Sequence, residues 1–413
     1  MGELPGALHT YVWEVSSADP IELHLIVPVG PVHEKEREAG AAYALFHLVQ
    51  LSSGRHSPEE LATFYQEIGH NPWADFRGEH LDHLPFRLRI PLDKAHLMPR
   101  ALEIMADWLW GWSPDPAQYE ELARREAGPL PPLETLVEFY NTTFLSLPAA
   151  VIAAGDFDGE ATEQLIGSAF ATPPASDLGP VSLPVHRSIS PAQWKVTLGL
   201  LSEQEGVTRM SVNLLMPTAI PLPLEPRQFV AIALLSYHLR HHLGQQLGWS
   251  DTQQGSIRGG IGSPTRSCLF YGLSFKCTGD QFLPFMEALE RELGRIQRGE
   301  VSEKELGPIL SELDLEVREL LSQLPPVQYA DDSTGHFLGT QFLPTPANIA
   351  AIYRVLATIE SDQLQRFTEG LVPLSQSWLK ISAKGGEGSI EELQGLITAL
   401  AEQLGVASLD DEE

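Results

Sequence analysis

The chain has 413 residues, 43% hydrophobic and 20% charged, a globular balance and more length than one ordinary core holds. With 27 basic and 55 acidic residues its formal net charge is −28, which argues against nucleic acid and anionic membranes as partners and suits basic peptides or plain solubility. The segment Met1 to Ser17 has neither a basic leader nor an apolar core, and no stretch is apolar enough to span a membrane. The two cysteines, Cys268 and Cys277, stand nine residues apart on one expected strand and face opposite sides of it. A disulfide between them is disfavoured, and a reducing, cytoplasmic setting is expected.

Apolar/polar alternation marks a strand over 21–27, and a helix is expected over 36–51. Ser57-Pro58-Glu59-Glu60 is a capping-box start for a helix that runs to Ile68 and stops at Gly69. A strand over 86–90 precedes a long helix capped by Asp93 and reaching Trp110. Helices near 116–126 and 133–144, the apolar strand 149–154 and a helix over 159–169 complete the first half. Residues 171–191 carry Pro173, Pro174, Pro180, Pro184 and Pro191 with little periodicity, which reads as a semi-extended linker.

The second half repeats the plan. Strands are expected near 194–200, 209–216, 253–258 and 267–278, and helices over 225–247, 280–298 and from Ser302. Helices near 346–356 and 361–371 precede a strand over 377–382 and a last helix from Ile390, with an acidic, frayed tail at 410–413. Ala383-Lys384-Gly385-Gly386 echoes Ala153-Ala154-Gly155-Asp156 at an offset of about 230 residues, which suggests a duplicated unit. The expected architecture is α+β: two similar domains, 1–175 and 193–413, joined by the proline-rich linker 176–192. Each is a mostly antiparallel sheet with helices on one face.

One helix carries the chemical question. Its residues Gly40 to Gln50 read, in the register of an inverted His-x-x-Glu-His zinc motif, as Tyr43-x-x-Phe46-His47. A hydrolytic zinc site needs two imidazoles one turn apart and a carboxylate that deprotonates the bound water. Tyr43 is a poor zinc ligand and Phe46 cannot accept a proton. No histidine stands four residues from His47 on either side.

Around this helix the sequence resembles the pitrilysin/insulinase-like zinc metallopeptidases, specifically their small processing-type subunits. The resemblance runs through Val29-Gly30, Glu34, Gly40-Ala41-Ala42, Glu60-Leu61, Glu67-Ile68-Gly69, Ala74, Glu79 and Ala101-Leu102. It continues through Phe139-Tyr140 and the strand Val151 to Asp158. It implies that Tyr43 and Phe46 replace a zinc histidine and the general base, and that His47 is the retained histidine. The distal zinc glutamate falls near Ala123, so Glu120, Glu121 and Glu126 are its candidate remnants. Trp73 stands where the family has an asparagine. The arginine and tyrosine with which zinc-less subunits hold substrate fall near Gly244 and Asp251, and neither matches.

Other clusters weigh less. His238-Leu239-Arg240-His241-His242 puts two imidazoles one turn apart but without a base, and reads as a basic, partly exposed helix face. His80 and His83 would point to opposite sides of a strand. Arg258 to Ser263 is glycine-rich without the lysine-serine of a phosphate loop, and reads as a turn between strands. Trp108, Trp110 and Trp112 cannot all face one side of a helix, so at least one must be exposed or packed on a neighbouring element.

The expectation is a non-catalytic metallopeptidase homologue without catalytic residues, metal or other cofactor of its own. It would pair with a zinc-bearing homologous subunit, close a peptide-binding chamber and help bind an extended peptide. A homodimeric peptide-binding scaffold, and an active zinc endopeptidase in another motif register, are the alternatives. Neither nucleic acid nor membrane is expected as a partner.

Overall fold

The computed structural model describes residues 1–4, 7–73, 81–125, 130–171, 194–200, 209–250, 255–265, 268–371, 373–374, 377–385, 391–392, 394–395, 397–399, 402 and 409–412. The chain forms two compact units. One comprises Met1–Arg187, Pro264–Arg266 and Leu324–Pro344; the other comprises Ser188–Ser263, Ser267–Gln323 and Thr345–Glu413. The expected linker 176–192 lies outside the described residues.

The first unit is built on a five-stranded sheet: β1 (Gly2–Leu4), β2 (Leu8–Glu14), β3 (Ile21–Val27), β4 (Leu84–Ile90) and β5 (Ala149–Gly155). Their order is β1-β2-β5-β3-β4. β2 and β5 run parallel, while β5–β3 and β3–β4 are antiparallel. Strict alternation makes β4 two-faced: Leu84, Phe86, Leu88 and Ile90 are buried and Arg87 and Arg89 point away from them. The apolar set, with Leu23, Leu25 and Val151, meets α1 (Ala41–Leu51), α3 (Met98–Trp110) and α5 (Leu133–Thr142) in the main core. The helices α2 (Pro58–Ile68), α4 (Pro116–Arg125) and α6 (Gly159–Ala169) complete this layer.

Strands β3 and β5 are buried along their whole length because the sheet's second face is covered too. The cover is a single helix, Pro326–Phe337, which comes from the second half of the sequence yet belongs to this unit. Its Ala330, followed by Leu338, packs on Tyr11, Ile26, Ala150, Ile152 and Ala154. The Trp13 indole N–H donates to Ser333 at 2.8 Å, and the Tyr11 hydroxyl meets His336 Nδ1 at 3.0 Å.

The second unit has a six-stranded sheet in the order β11-β6-β10-β7-β9-β8. Its strands are β6 (Trp194–Leu200), β7 (Arg209–Thr218), β8 (Arg258–Thr265), β9 (Cys268–Thr278), β10 (Trp378–Gly385) and β11 (Leu409–Glu412). β6 and β10 run parallel, and β10–β7 and β7–β9 are antiparallel. This is the pairing scheme of β2, β5, β3 and β4. The echoing Ala-Gly segments fall on β5 and β10, which hold corresponding places in the two sheets. The α7 helix (Pro226–Gln246) and the helices Gly279–Gln297, Glu303–Ser322, Pro346–Leu356 and Ser361–Glu369 belong to this unit.

Some expected boundaries move. The expected 36–51 helix becomes a short turn over Glu36–Glu38 and α1, separated by Gly40, whose φ of 87° no helix accommodates. Asp93 lies in a 3-10 segment, Leu92–Leu97, rather than capping α3. The glycine-rich Arg258–Thr265 is the strand β8 and not a turn, and residues 251–254 lie outside the described set. The acidic Leu409–Glu412 is not frayed: it pairs in parallel with β6, Leu409 opposite Trp194. Cys277 on β9 is a buried free thiol, its pKa pushed up to about 12 by that burial.

Candidate functional site

The α1 helix is positioned from its start. Gly40 has no side chain to cap the helix, so the Glu34 carboxylate does so from the preceding loop. It accepts from Gly40 N–H at 2.8 Å and Ala42 N–H at 2.7 Å. Burial raises the Glu34 pKa, and the two backbone donors work against that rise. At the other end Gln50 anchors the helix to α2 and its C-terminal loop. The Tyr65 hydroxyl donates to the Gln50 carbonyl at 2.6 Å, and the Gln50 amide oxygen lies 3.0 Å from His70 Nε2. Burial depresses the His70 pKa to about 4, so this ring is neutral at physiological pH.

Between these anchors Tyr43, Phe46 and His47 form an aromatic cluster. The Tyr43 and His47 rings lie edge to face at 4.8 Å, and Phe46 and His47 at 5.3 Å. Phe46 stacks on Phe86 of β4 at 5.2 Å and 19°, which joins to the core the position where the resemblance would put a general base. His47 is buried, its Nδ1 3.1 Å from the Pro72 carbonyl oxygen. Its ring lies nearly parallel to the Trp73 indole, at 6.2 Å and 18°. The Arg125 guanidinium sits 4.2 Å over the same indole. Arg125 is held by Glu121 at 2.7 Å, and Glu121 also takes Arg124 at 2.5 Å.

A continuous chain of ring, cation–π and ionic contacts therefore runs Tyr43–His47–Trp73–Arg125–Glu121. It joins His47 to Glu121, one of the expected ligand candidates, but through an indole and a guanidinium. Glu120 is exposed on α4, and Glu126 lies outside the described residues. The donor set does not fit zinc: it offers one imidazole, no second imidazole a turn away, and a carboxylate committed to two guanidinium groups. Among the described residues no three His, Cys, Asp or Glu side chains converge to hold a metal. No hydrolytic step follows from this arrangement. Sequence reasoning singled out Trp73 and missed Arg125. The available signal was the Glu121/Arg125 spacing of one helical turn.

The remaining candidates resolve individually. His238 is not on an exposed face but is buried against Glu292 of the Gly279–Gln297 helix, with Nε2 2.6 Å from Oε1. His242 Nε2 reaches the other oxygen at 3.0 Å, and the two imidazoles stack at 5.4 Å. Arg295 completes the ring of partners at 3.3 Å and also pairs with Glu305. Burial works against ionisation of Glu292, yet the His238 hydrogen bond and the charges of His242 and Arg295 outweigh it and lower its pKa. With both oxygens engaged, the carboxylate forms a buried ionic network rather than a vacant ligand.

Gly244 is buried in α7, while Asp251 and His80 lie outside the described residues. His83 meets Asp82 at 3.0 Å. Trp108 is fully buried, Trp110 lies on Phe170 of the first unit at 5.5 Å, and Trp112, beyond the helix end, donates its indole N–H to Ser52 at 3.1 Å.

No helix among the described residues is long and apolar enough to cross a membrane. No curated protein matches the sequence. The family described as Peptidase M16 inactive domain matches residues 132–313. The periplasmic protease PqqL of Escherichia coli superposes with a TM-score of 0.68 at 13% identity, over 100% of this chain and 50% of that one. The chain thus spans half the length of PqqL. A predicted insulinase-family protease of Yersinia pestis gives 0.64 at 16% identity, over 97% and 95% of the two chains. An M16 inactive-domain protein of Pseudomonas fluorescens gives 0.63 at 11% identity, over 92% and 97%. At these identities the structural likeness speaks for the fold alone. Residues 132–313 thus match the M16 inactive-domain family, and the fold across the chain's length is the one these M16-type structures share.

Proposed function

We propose that this chain is a partner subunit that pairs with a zinc-bearing M16-type homologue and helps it bind an extended peptide. The observation that carries this reading is the Tyr43–His47–Trp73–Arg125 stack, which occupies the motif region while the helix, sheet and core around it are kept. A fold kept intact around abolished chemistry suits a supporting role. The zinc, base and polarised water would come from the partner. Sheet edges such as β4 and β8 offer the backbone groups to which an extended peptide could add as a further strand. A cytoplasmic location accompanies this reading, supported by the free thiol of Cys277.

The test is co-expression with a zinc-bearing M16 homologue from the same genome, followed by assay on a quenched fluorescent peptide. A one-to-one complex whose cleavage is lost in chelator, with no cleavage by this chain alone, is the expected result. A homodimer that ignores the homologue would replace the proposal with the scaffold reading. Chelator-sensitive cleavage by the purified chain would overturn it altogether.

A further inference from the structure

The second sheet has two chemically opposite faces. Register places Val212, Leu214, Phe275, Leu273, Ile381 and Leu379 on one of them, all buried. The other face is polar and cationic over two rows, flanked by a partly buried row of Trp378, Leu215 and Gly272. Lys380 of β10 stands opposite Asn213 of β7, which stands opposite Ser274 of β9. In the next row Ser382 stands opposite Ser211, and Ser211 opposite Lys276. The Ser274 hydroxyl reaches the Arg258 carbonyl at 3.5 Å, which continues the first row into β8. A Cβ on Gly259 would strike Tyr271 and Ser236 on the buried side, so Arg258 belongs to the polar face.

Lys380, Lys276, Arg258, Asn213 and Ser382 are exposed. In a chain with twice as many acids as bases, several surface arginines elsewhere are matched, Arg240 with Glu312, Arg298 with Glu300, Arg318 with Asp314 and Arg366 with Asp362, although exposed Arg227, Arg291 and Arg354 are not. Among the described residues, Lys380, Lys276 and Arg258 have no such carboxylate. The backbone adds to the pattern: Lys195 holds the register position beside Lys380, and Arg209 the position beside Lys384. The one acidic strand in this sheet, Leu409–Glu412, lies against β6 with Asp410 opposite Lys195.

We infer that this face binds an extended, acidic polypeptide segment, with Lys380, Lys276 and Arg258 as its cationic contacts. The inference goes beyond the partner-subunit reading and does not depend on it. Lys380 and Arg258 stand three inter-strand steps apart, about 14 Å at ~4.8 Å per strand, which a few carboxylates on an extended segment can match. The hydroxyl and amide groups of Ser211, Asn213, Ser274 and Ser382 supply short hydrogen bonds between the charges. A nucleic acid fits less well, because its continuous phosphate charge is denser than that of carboxylates spaced along a peptide and meets more of the repulsion of a chain at −28.

Fluorescence anisotropy with a labelled peptide of alternating Glu and Ser, on the full chain, tests this. The wild type is expected to bind it in a salt-sensitive way and to bind a Lys/Ser peptide far more weakly. The double variant Lys276→Glu/Lys380→Glu should weaken binding by about tenfold or more, Lys276→Gln/Lys380→Gln by less, and Lys304→Glu not at all. Unchanged melting curves would show that the substituted chains are folded. Absence of binding, binding indifferent to the double charge reversal, or equal binding of a single-stranded oligonucleotide would each overturn the inference.

Discussion

At the level of single residues, the space beside His47, where the resemblance would place a metal, is occupied. Trp73 fills it, with His47 on one side and Arg125 on the other. Aromatic pairs contribute about 0.5–1.5 kcal/mol beyond area burial, and a partly exposed cation over an indole on the order of 1 kcal/mol. The stack is therefore a modest but real reinforcement between α1 and α4. It also makes reversal of the motif harder than the sequence suggests. The variant Tyr43→His/Phe46→Glu should gain little zinc by elemental mass spectrometry, because Trp73 still occupies the space and Glu121 stays with its arginines. Adding Trp73→Asn should raise the metal content. Equal content in the double and triple variants would show that the indole is not the obstacle. Phe46→Glu also sets a carboxylate against Phe86, and a loss of roughly 1–3 kcal/mol in thermal melts is expected.

At the level of elements, the helix Pro326–Phe337 is the part that sequence reading passed over. Its buried positions are Pro326, Ala330, Ser333, Thr334 and Gly335, small or polar residues that make no apolar stripe. Their burial is dictated by the face of β2, β3 and β5 that waits for them, which no local pattern reveals. One residue on this helix has a measurable cost. Burial raises the Asp332 carboxyl from its ordinary 3.8 to about 6, against a hydrogen bond from Gln328. The folded state then holds this proton more tightly than the unfolded state, so stability falls as pH rises from about 4 to about 6 and stays lower above that window. Asp332→Asn should remove the loss, with a gain on the order of 1 kcal/mol at neutral pH and none near pH 3, after allowing for partial solvent screening. Denaturant midpoints at the two pH values decide it; an equal change at both would assign the effect to packing.

At the level of the whole molecule, the net charge of −28 sets a background of self-repulsion on which the two sheets are built. Raising ionic strength from about 0.01 M to about 0.15 M shortens the screening length from ~30 Å to ~8 Å. The melting temperature should rise by roughly 2–4 °C as that repulsion is screened. A fall would mean that the paired surface arginines contribute more than the repulsion removes.

Periodicity located most strands and helices, because a half-buried strand and an amphipathic helix write their buried faces at spacings of two and 3.6 residues. The ending shared by β5 and β10 suggested an internal repeat, and the matching strand pairing of the two sheets bears it out. That an aromatic ring at Phe46 cannot act as a base in any fold follows from covalent structure alone. Where the chain was misread, the deciding partner was distant. Arg258–Thr265 became a strand because β9 supplies a ladder, and the acidic Leu409–Glu412 became one because β6 offers an open edge. His238 was drawn inward by Glu292, 54 positions away. What a residue can do chemically was set by its own side chain; which partner it meets was decided by long-range packing, where burial makes a charge or a polar group take whatever complement the fold brings to it.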